Sequence, residues 1–237
     1  MSFIRLDKFI SDTTPLTRKE ASKAIRKGMV FVNGNIITDI SAKINKETDI
    51  VLLDGKELTF KENYYIMMNK PAGYLSATED RYCKTVTELL SIELPKEKIF
   101  PAGRLDKDTV GFLFLTTDGI LAHKVTGPKN HVPKKYYVET DLPIKEELTK
   151  LFEAGIELEN GEMCKSAKLE ITGSTSCYLT ITEGKFHQVK RMFSMLGLTV
   201  IYLKRVQIGM LMLDESLKEG EYRELTDDEV LKICSRI

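Results

Sequence analysis

Five stretches of this chain, residues 64–68, 112–116, 136–140, 178–182 and 200–206, read as strands, yet only two helix-length segments, 145–154 and 187–196, lie among them. A doubly wound parallel sheet needs strands and helices to alternate regularly, and here they do not. The pattern predicts an α+β fold built on a mixed, mostly antiparallel sheet flanked by helices. With 237 residues the chain can form one large domain or two unequal ones, and it contains no internal repeat or low-complexity stretch.

Charge separates a first segment from the rest. The formal net charge is zero, but residues 1–46 hold nine Lys/Arg against four Asp/Glu, whereas residues 206–237 hold four against eight. Leu6, Phe9 and Ile10 are spaced as the apolar stripe of a short helix. Thr17 and Glu20 have capping-box spacing, Ala21, Ala24 and Ile25 form the inner stripe of a second helix, and Gly28 stops it. Arg18, Lys19, Lys23, Arg26 and Lys27 are left on its outer surface, an arrangement suited to phosphates. Val30-Phe31-Val32, the Asn33-Gly34 turn and Ile36-Ile37 predict a hairpin. The charged stretch through Lys61, Glu62 and Asn63 reads as a linker. The expected division is a small helical and hairpin module with linker over 1–60 and a larger domain over 61–237.

Several function classes lack support. Cys83, Cys164, Cys177 and Cys234 form no C-x-x-C pair and the three histidines no metal-binding spacing, so neither zinc nor a disulfide framework is expected. There is no phosphate-loop, dinucleotide or serine-elbow motif, so no cofactor is expected. No apolar run approaches the ~18 residues of a membrane helix. Asp7 and Lys8 come before a signal-peptide core could form, so no membrane is expected and the cytoplasm is the default compartment.

Two places in the larger segment could carry chemistry. Gly103-Arg104-Leu105-Asp106-Lys107-Asp108 precedes the apolar run Phe112–Leu115, which places Asp106 at a strand edge near Arg104 and Lys107. Spacing alone also describes a solvated loop carboxylate paired with a neighbouring cation. Asp106, Asp108 and Asp118 together could suggest magnesium, a reading given little weight because the motif is explained without one. In the helix 187–196, Val189, Met192, Phe193 and Leu196 form an apolar stripe. His187, Lys190, Arg191 and Ser194 form the opposite face, entered through Glu183-Gly184-Lys185. Such a face can meet phosphate or keep a carboxylate ionised. Tyr65, Tyr74 and Phe186 read as core aromatics rather than pocket walls.

Two families are resembled. RLDKFI and TRKEASKAIRKGMVFVNG resemble the RNA-binding module of small-subunit ribosomal protein S4, over about residues 3–50. This implies RNA contacts for Arg5, Lys8, Arg18, Lys19, Lys23 and Arg26. Pro101–Asp106, Lys134–Val138 and Glu183–Phe193, with Asn69–Gly73 and Gly220–Leu225, resemble the RsuA branch of the RNA pseudouridine synthases, in that family's order over residues 64–226. That likeness implies isomerisation of a uridine without cofactor or energy donor. Asp106 would be the catalytic carboxylate, either attacking the nucleotide or abstracting a proton. Lys190 would pair with Asp106, Tyr136 would stack on the uracil, and Arg104 would contact the RNA and fill the gap left by the flipped base. Lys185, His187 and Arg191 join the RNA-binding set. The run H-Q-V-K-R-M-F, with His187 and Lys190, is more similar to the small-subunit enzymes, which implies 16S ribosomal RNA, free or in a partly assembled small subunit, as partner. The competing expectations are a large-subunit or transfer-RNA uridine isomerase and a non-enzymatic RNA-binding or ribosome-assembly factor.

Overall fold

The structure, a computed structural model, describes residues 3–92 and 94–235. The outer ends of the two expected segments, residues 1–2 and 236–237, lie outside the described residues. The chain forms two compact units. One comprises Met1–Asn63 with Leu90–Ile99, the other Tyr64–Leu89 with Phe100–Ile237.

In the first unit, β1 (Phe3–Arg5) leads into α1 (Leu6–Thr13) and α2 (Arg18–Arg26). Then come β2 (Val30–Val32), β3 (Asn35–Ile36), β4 (Lys43–Asn45), β5 (Val51–Leu53) and β6 (Lys56–Leu58). Thr17 caps α2: its Oγ1 accepts from the Glu20 amide at 3.3 Å, and the Glu20 carboxylate accepts from the Thr17 amide at 2.8 Å. Gly28, at φ +73°, supplies the left-handed residue that ends the helix. A four-stranded sheet in the order β3-β2-β5-β6 includes the Asn33-Gly34 hairpin, with Phe31 opposite Ile36. Leu6, Phe9 and Ile10 of α1 and Ala21 and Ile25 of α2 bury against Val30, Ile44 and Val51. At roughly 1.5–3 kcal/mol for each large side chain, this small core holds the two helices on the sheet.

The second unit contains β7 (Tyr65–Lys70), β8 (Phe100–Pro101), β9 (Val110–Thr116), α3 (Gly119–Thr126) and β10 (Lys134–Thr140). It continues with α4 (Leu148–Ala154), β11 (Lys168–Ile171), β12 (Ser176–Ile181), α5 (Gln188–Met195) and β13 (Val200–Ile208). It ends with β14 (Leu211–Met212), β15 (Tyr222–Glu224) and α6 (Asp227–Ile233). The main sheet runs β11-β12-β10-β13-β9-β7-β15, with β14 on β13 and β8 on β9. Every described pairing in it is antiparallel except β13 with β9, which meet in parallel through only Lys204 opposite Val110 and Arg205 opposite Gly111. Gly111 makes that junction possible. Its φ is +98°, and a Cβ there would sit 2.3 Å from the Arg205 carbonyl oxygen. The Arg205 guanidinium adds a clip across the same seam, Nε donating to the Phe112 carbonyl at 2.7 Å.

The α5 stripe buries Val189, Met192 and Phe193, and the Phe193 ring meets Phe152 of α4 at 5.0 Å. Among the described residues, no helix is long and apolar enough to cross a membrane.

Candidate active site

The loop that carries Asp106 is fixed by its backbone. Lys70, at the end of β7, is fully buried, and its Nζ donates to the carbonyls of Pro71, Asp106, Lys107 and Thr109 at 3.0, 3.2, 3.3 and 2.9 Å. Burial pushes this ammonium down to about 8, against the pull of Asp108 and Asp106. Ser76 adds a second tie, accepting from the Leu105 amide and donating to the Leu105 carbonyl, each at 3.0 Å. The Gly73 amide donates to the Lys107 carbonyl at 2.7 Å. The stretch Asn69–Gly73 therefore shapes the Asp106 loop from beneath.

Asp106 opens onto a cavity of about 380 Å³ whose lining includes Tyr136, Lys134, Arg205, Thr109 and His187. Its side chain is 27% exposed, so the carboxylate is half withdrawn from water but reachable. His187 Nε2 lies 3.5 Å from one carboxylate oxygen and Lys190 Nζ 3.9 Å from the other. The closer partner of Lys190 is Asp108, with both carboxylate oxygens at 2.6 Å. That contact holds the Asp108 carboxyl below its usual range despite partial burial. Lys190 is thus shared between two carboxylates. Tyr136 is almost buried, and its hydroxyl lies 3.5 Å from Arg205 Nη1. Arg104 is exposed and also lines the cavity.

Helix α5 enters this region through a left-handed residue, His187 at φ +49°. Gln188 is buried and donates to Glu183 at 2.7 Å, and the same Glu183 oxygen accepts the Lys165 amide at 2.9 Å. Lys185 and Arg191 are not free cations. Lys185 donates to the Met163 carbonyl at 2.6 Å and pairs with Glu162 at 3.1 Å, while Arg191 pairs with Glu159 at 2.7 Å. Phe186 departs from its reading as a core aromatic. It is 71% exposed, lines the cavity and stacks on His187 at 3.8 Å, because the left-handed turn before α5 faces it outward.

The aspartates weighed for magnesium have other partners. Asp118 caps α3 by accepting from the amides of Ile120 and Leu121, and it accepts the Tyr65 hydroxyl at 3.0 Å. Among the described residues, no cluster of three or more His, Cys, Asp or Glu side chains could hold a metal.

In the first unit, Asp7 is buried between Arg5 and Arg18. It accepts from Arg5 at 3.1 and 3.0 Å and from Arg18 at 3.1 Å. Burial alone would raise its carboxyl, but the two guanidiniums hold it below the usual range. Lys8, Lys19, Lys23 and Arg26 are exposed.

A carboxylate on a braced loop thus lines a cavity together with an aromatic side chain and basic groups, in a chain that also carries a basic helical module. Residues 64–195 match the RNA pseudouridylate synthase family and residues 4–51 match the S4 domain. The chain belongs to the RNA pseudouridine synthases. It is 46% identical over 231 residues to a protein of Bacillus subtilis named an uncharacterized RNA pseudouridine synthase, covering 96% of this chain and 97% of that one. It is 43% identical to ribosomal small subunit pseudouridine synthase A of Haemophilus influenzae, covering 97% and 99%, and 39% identical to that of Escherichia coli, covering 97% and 100%. A solved pseudouridylate synthase structure superposes with a TM-score of 0.70 at 43% identity, covering 97% and 99% of the two chains.

Four residues central to this geometry lie outside the sequence reading: Lys70, Asp108 as partner of Lys190, Lys134 and Arg205. Lys70 and Lys134 sit in motifs that were visible without assigning them a role, Asp108 was weighed only for magnesium, and Arg205 resembles an ordinary strand charge.

Proposed function

We propose that this enzyme converts a specific uridine of small-subunit (16S) ribosomal RNA to pseudouridine, with Asp106 acting on a base flipped out of the RNA. The observation that carries this reading is the Asp106 carboxylate at the mouth of a cavity floored by Tyr136, with His187 and Lys190 within 4 Å. The reaction breaks the C1′–N1 bond and joins C1′ to C5, so it is redox-neutral. Attack on C1′ and proton abstraction both begin from an ionised carboxylate. In this reading Tyr136 stacks on the uracil and Arg104, an exposed residue of the cavity lining, fills the vacated stack. Residues 1–60 serve docking through Arg5, Lys8, Arg18, Lys19, Lys23 and Arg26, and 61–237 serve chemistry. The names of the relatives from H. influenzae and E. coli, matched along nearly their whole length, support the small-subunit substrate.

The test uses small-subunit RNA from cells lacking the gene, treated with wild-type or Asp106→Asn protein and probed by carbodiimide-blocked primer extension. A new stop with wild type alone supports the reaction, its carboxylate and the substrate. A stop only on large-subunit or transfer RNA would reassign the substrate, and a stop with both proteins would remove Asp106 from the chemistry.

A further inference from the structure

Among the described residues, three buried side-chain polar atoms have no hydrogen-bond partner: Asn69 Oδ1, Thr109 Oγ1 and Arg205 Nη2. Thr109 and Arg205 line the Asp106 cavity. Lys134 lines it as well, and its ammonium makes no hydrogen bond or ion pair with any described residue. Register places these groups on one floor. Lys134 and Tyr136 are two apart on β10 and share a face, and Arg205 on β13 lies directly opposite Tyr136.

A buried donor left unmatched costs roughly 1–3 kcal/mol, so a pocket that gathers several is short of an acceptor. The carboxylates nearby do not supply it. Glu183 is already engaged by the Lys165 amide, Gln188 and Lys185. Asp106 faces His187 and Lys190. Tyr136, Leu203 and Ile208 add aromatic and apolar lining to the same cavity. That combination suits a planar ring bearing carbonyl oxygens better than a strongly hydrated phosphate.

We propose that Lys134 and Arg205 are substrate-contacting residues that donate to the carbonyl oxygens of the flipped uracil and hold the charge it carries while detached from ribose. The inference rests on the reading of the site given above. When C1′–N1 breaks, its electron pair stays with the base and spreads over N1, O2 and O4. When C1′–C5 forms, the C5 proton leaves and N1 takes one up. Two cationic donors on the carbonyls favour the detached base without any proton transfer of their own. The depressed ammonium of Lys134, pushed down to about 8 by burial and by Arg205, accords with a site that lacks its anionic partner.

Binding without turnover tests this. The full-length protein is titrated by calorimetry with uridine 5′-monophosphate and with its 2-thio and 4-thio counterparts, whose sulfur accepts hydrogen bonds poorly. Wild type is compared with Lys134→Met and Lys134→Arg. Arg205→Lys is a further variant, but Lys134 decides because Arg205 also holds the sheet seam. The expected result is at least ten-fold weaker nucleotide binding by Lys134→Met and substantial recovery in Lys134→Arg. One thio substitution should weaken binding several-fold in wild type and leave Lys134→Met unaffected. Equal affinity of wild type and Lys134→Met, no wild-type binding, or thio effects unchanged by Lys134→Met would overturn the proposal. Pseudouridine formation on ribosomal RNA is measured separately. Product with no dependence of binding on Lys134 sinks this assignment alone, whereas Lys134-dependent binding with no product on any RNA sinks the assigned activity.

Discussion

Lys70 shows how one buried charge can set the position of another group, here the loop that carries the proposed catalytic Asp106. Its ammonium carries three protons and meets four carbonyls, three of them on the Asp106 loop. Lys70→Met keeps the volume and removes every donor, leaving those carbonyls unmatched in a buried place. We expect a loss of about 2–4 kcal/mol in urea denaturation. Turnover should fall at least ten-fold, with RNA affinity falling far less, because the loop carries Asp106 while most of the proposed docking cations lie in residues 1–60. Unchanged stability would mean that water replaces the ammonium. At this scale the sequence was informative where a motif singles out one residue, as it does for Asp106 and Tyr136. It was silent where partners decide. Lys134 and Lys135 are adjacent and chemically alike, and only the strands on either side of β10 determine that Lys134 faces the cavity while Lys135 pairs with Glu170. The family resemblance likewise implies that Lys190 pairs with Asp106, yet its shorter contact is to Asp108, two residues along the same loop.

Among the elements, the seam between β9 and β13 is the parallel junction of the main sheet, paired through two residues on each strand. Gly111→Ala puts a Cβ 2.3 Å from the Arg205 carbonyl oxygen at a φ that disfavours side chains. The strands must separate, and thermal denaturation should report a loss of about 3 kcal/mol or more. A near-wild-type melting temperature would show that the seam is pliable. A second device joins β15 to α6: Arg223 donates to Asp214 at 2.6 Å and to both oxygens of Glu229 at 2.8 and 2.7 Å. Hydrogen bonds from Ser216 and Arg223 hold Asp214 at about 2, and Arg223 holds Glu229 at about 2. Folded values below the unfolded ones, near 4, mean that this contribution is fully present above pH 4–5 and is lost as pH falls toward 2. Arg223→Met should therefore be less stable than wild type at pH 7, with the gap narrowing in melts taken between pH 4 and pH 2.5. A constant gap would assign the loss to packing. The long strands and the four predicted helices, α1, α2, α4 and α5, were legible from periodicity, and the α2 capping box from its spacing. Helices α3 and α6, no shorter than α5 and α4, carry comparable signals in Asp118-Gly119 and in Thr226 with Glu229, so their caps rather than an apolar stripe mark them in the sequence. β1 and β4, three residues each, exist because they pair with each other across about forty residues of chain, which local pattern cannot reveal.

Across the whole molecule, positive charge is concentrated in the first segment while the total is zero, so RNA binding should depend on a few free cations rather than on net charge. Which cations are free follows from their partners. Arg5 and Arg18 share Asp7, Lys185 pairs with Glu162, and Arg191 with Glu159, so phosphate must compete with a carboxylate at each. Lys19 and Lys23 are exposed on the outer face of α2 and make no described side-chain hydrogen bond or close ion pair. Each phosphate contact contributes about 0.7–0.9 to the slope of log affinity against log salt. The double variant Lys19→Ala with Lys23→Ala should therefore lower that slope by about 1.4–1.8 and weaken RNA binding on the order of ten-fold near 0.15 M salt. Replacing Lys185 and Arg191 with alanine should lower it by less, because those cations release fewer counterions on binding RNA. Turnover at saturating RNA should stay within about two-fold of wild type for Lys19→Ala with Lys23→Ala, since neither residue lines the Asp106 cavity. Filter binding across 0.05–0.4 M salt and single-turnover kinetics on the same RNA separate these effects. A slope unchanged by the α2 pair, but reduced by the α5 pair, would move docking from the first unit to the second.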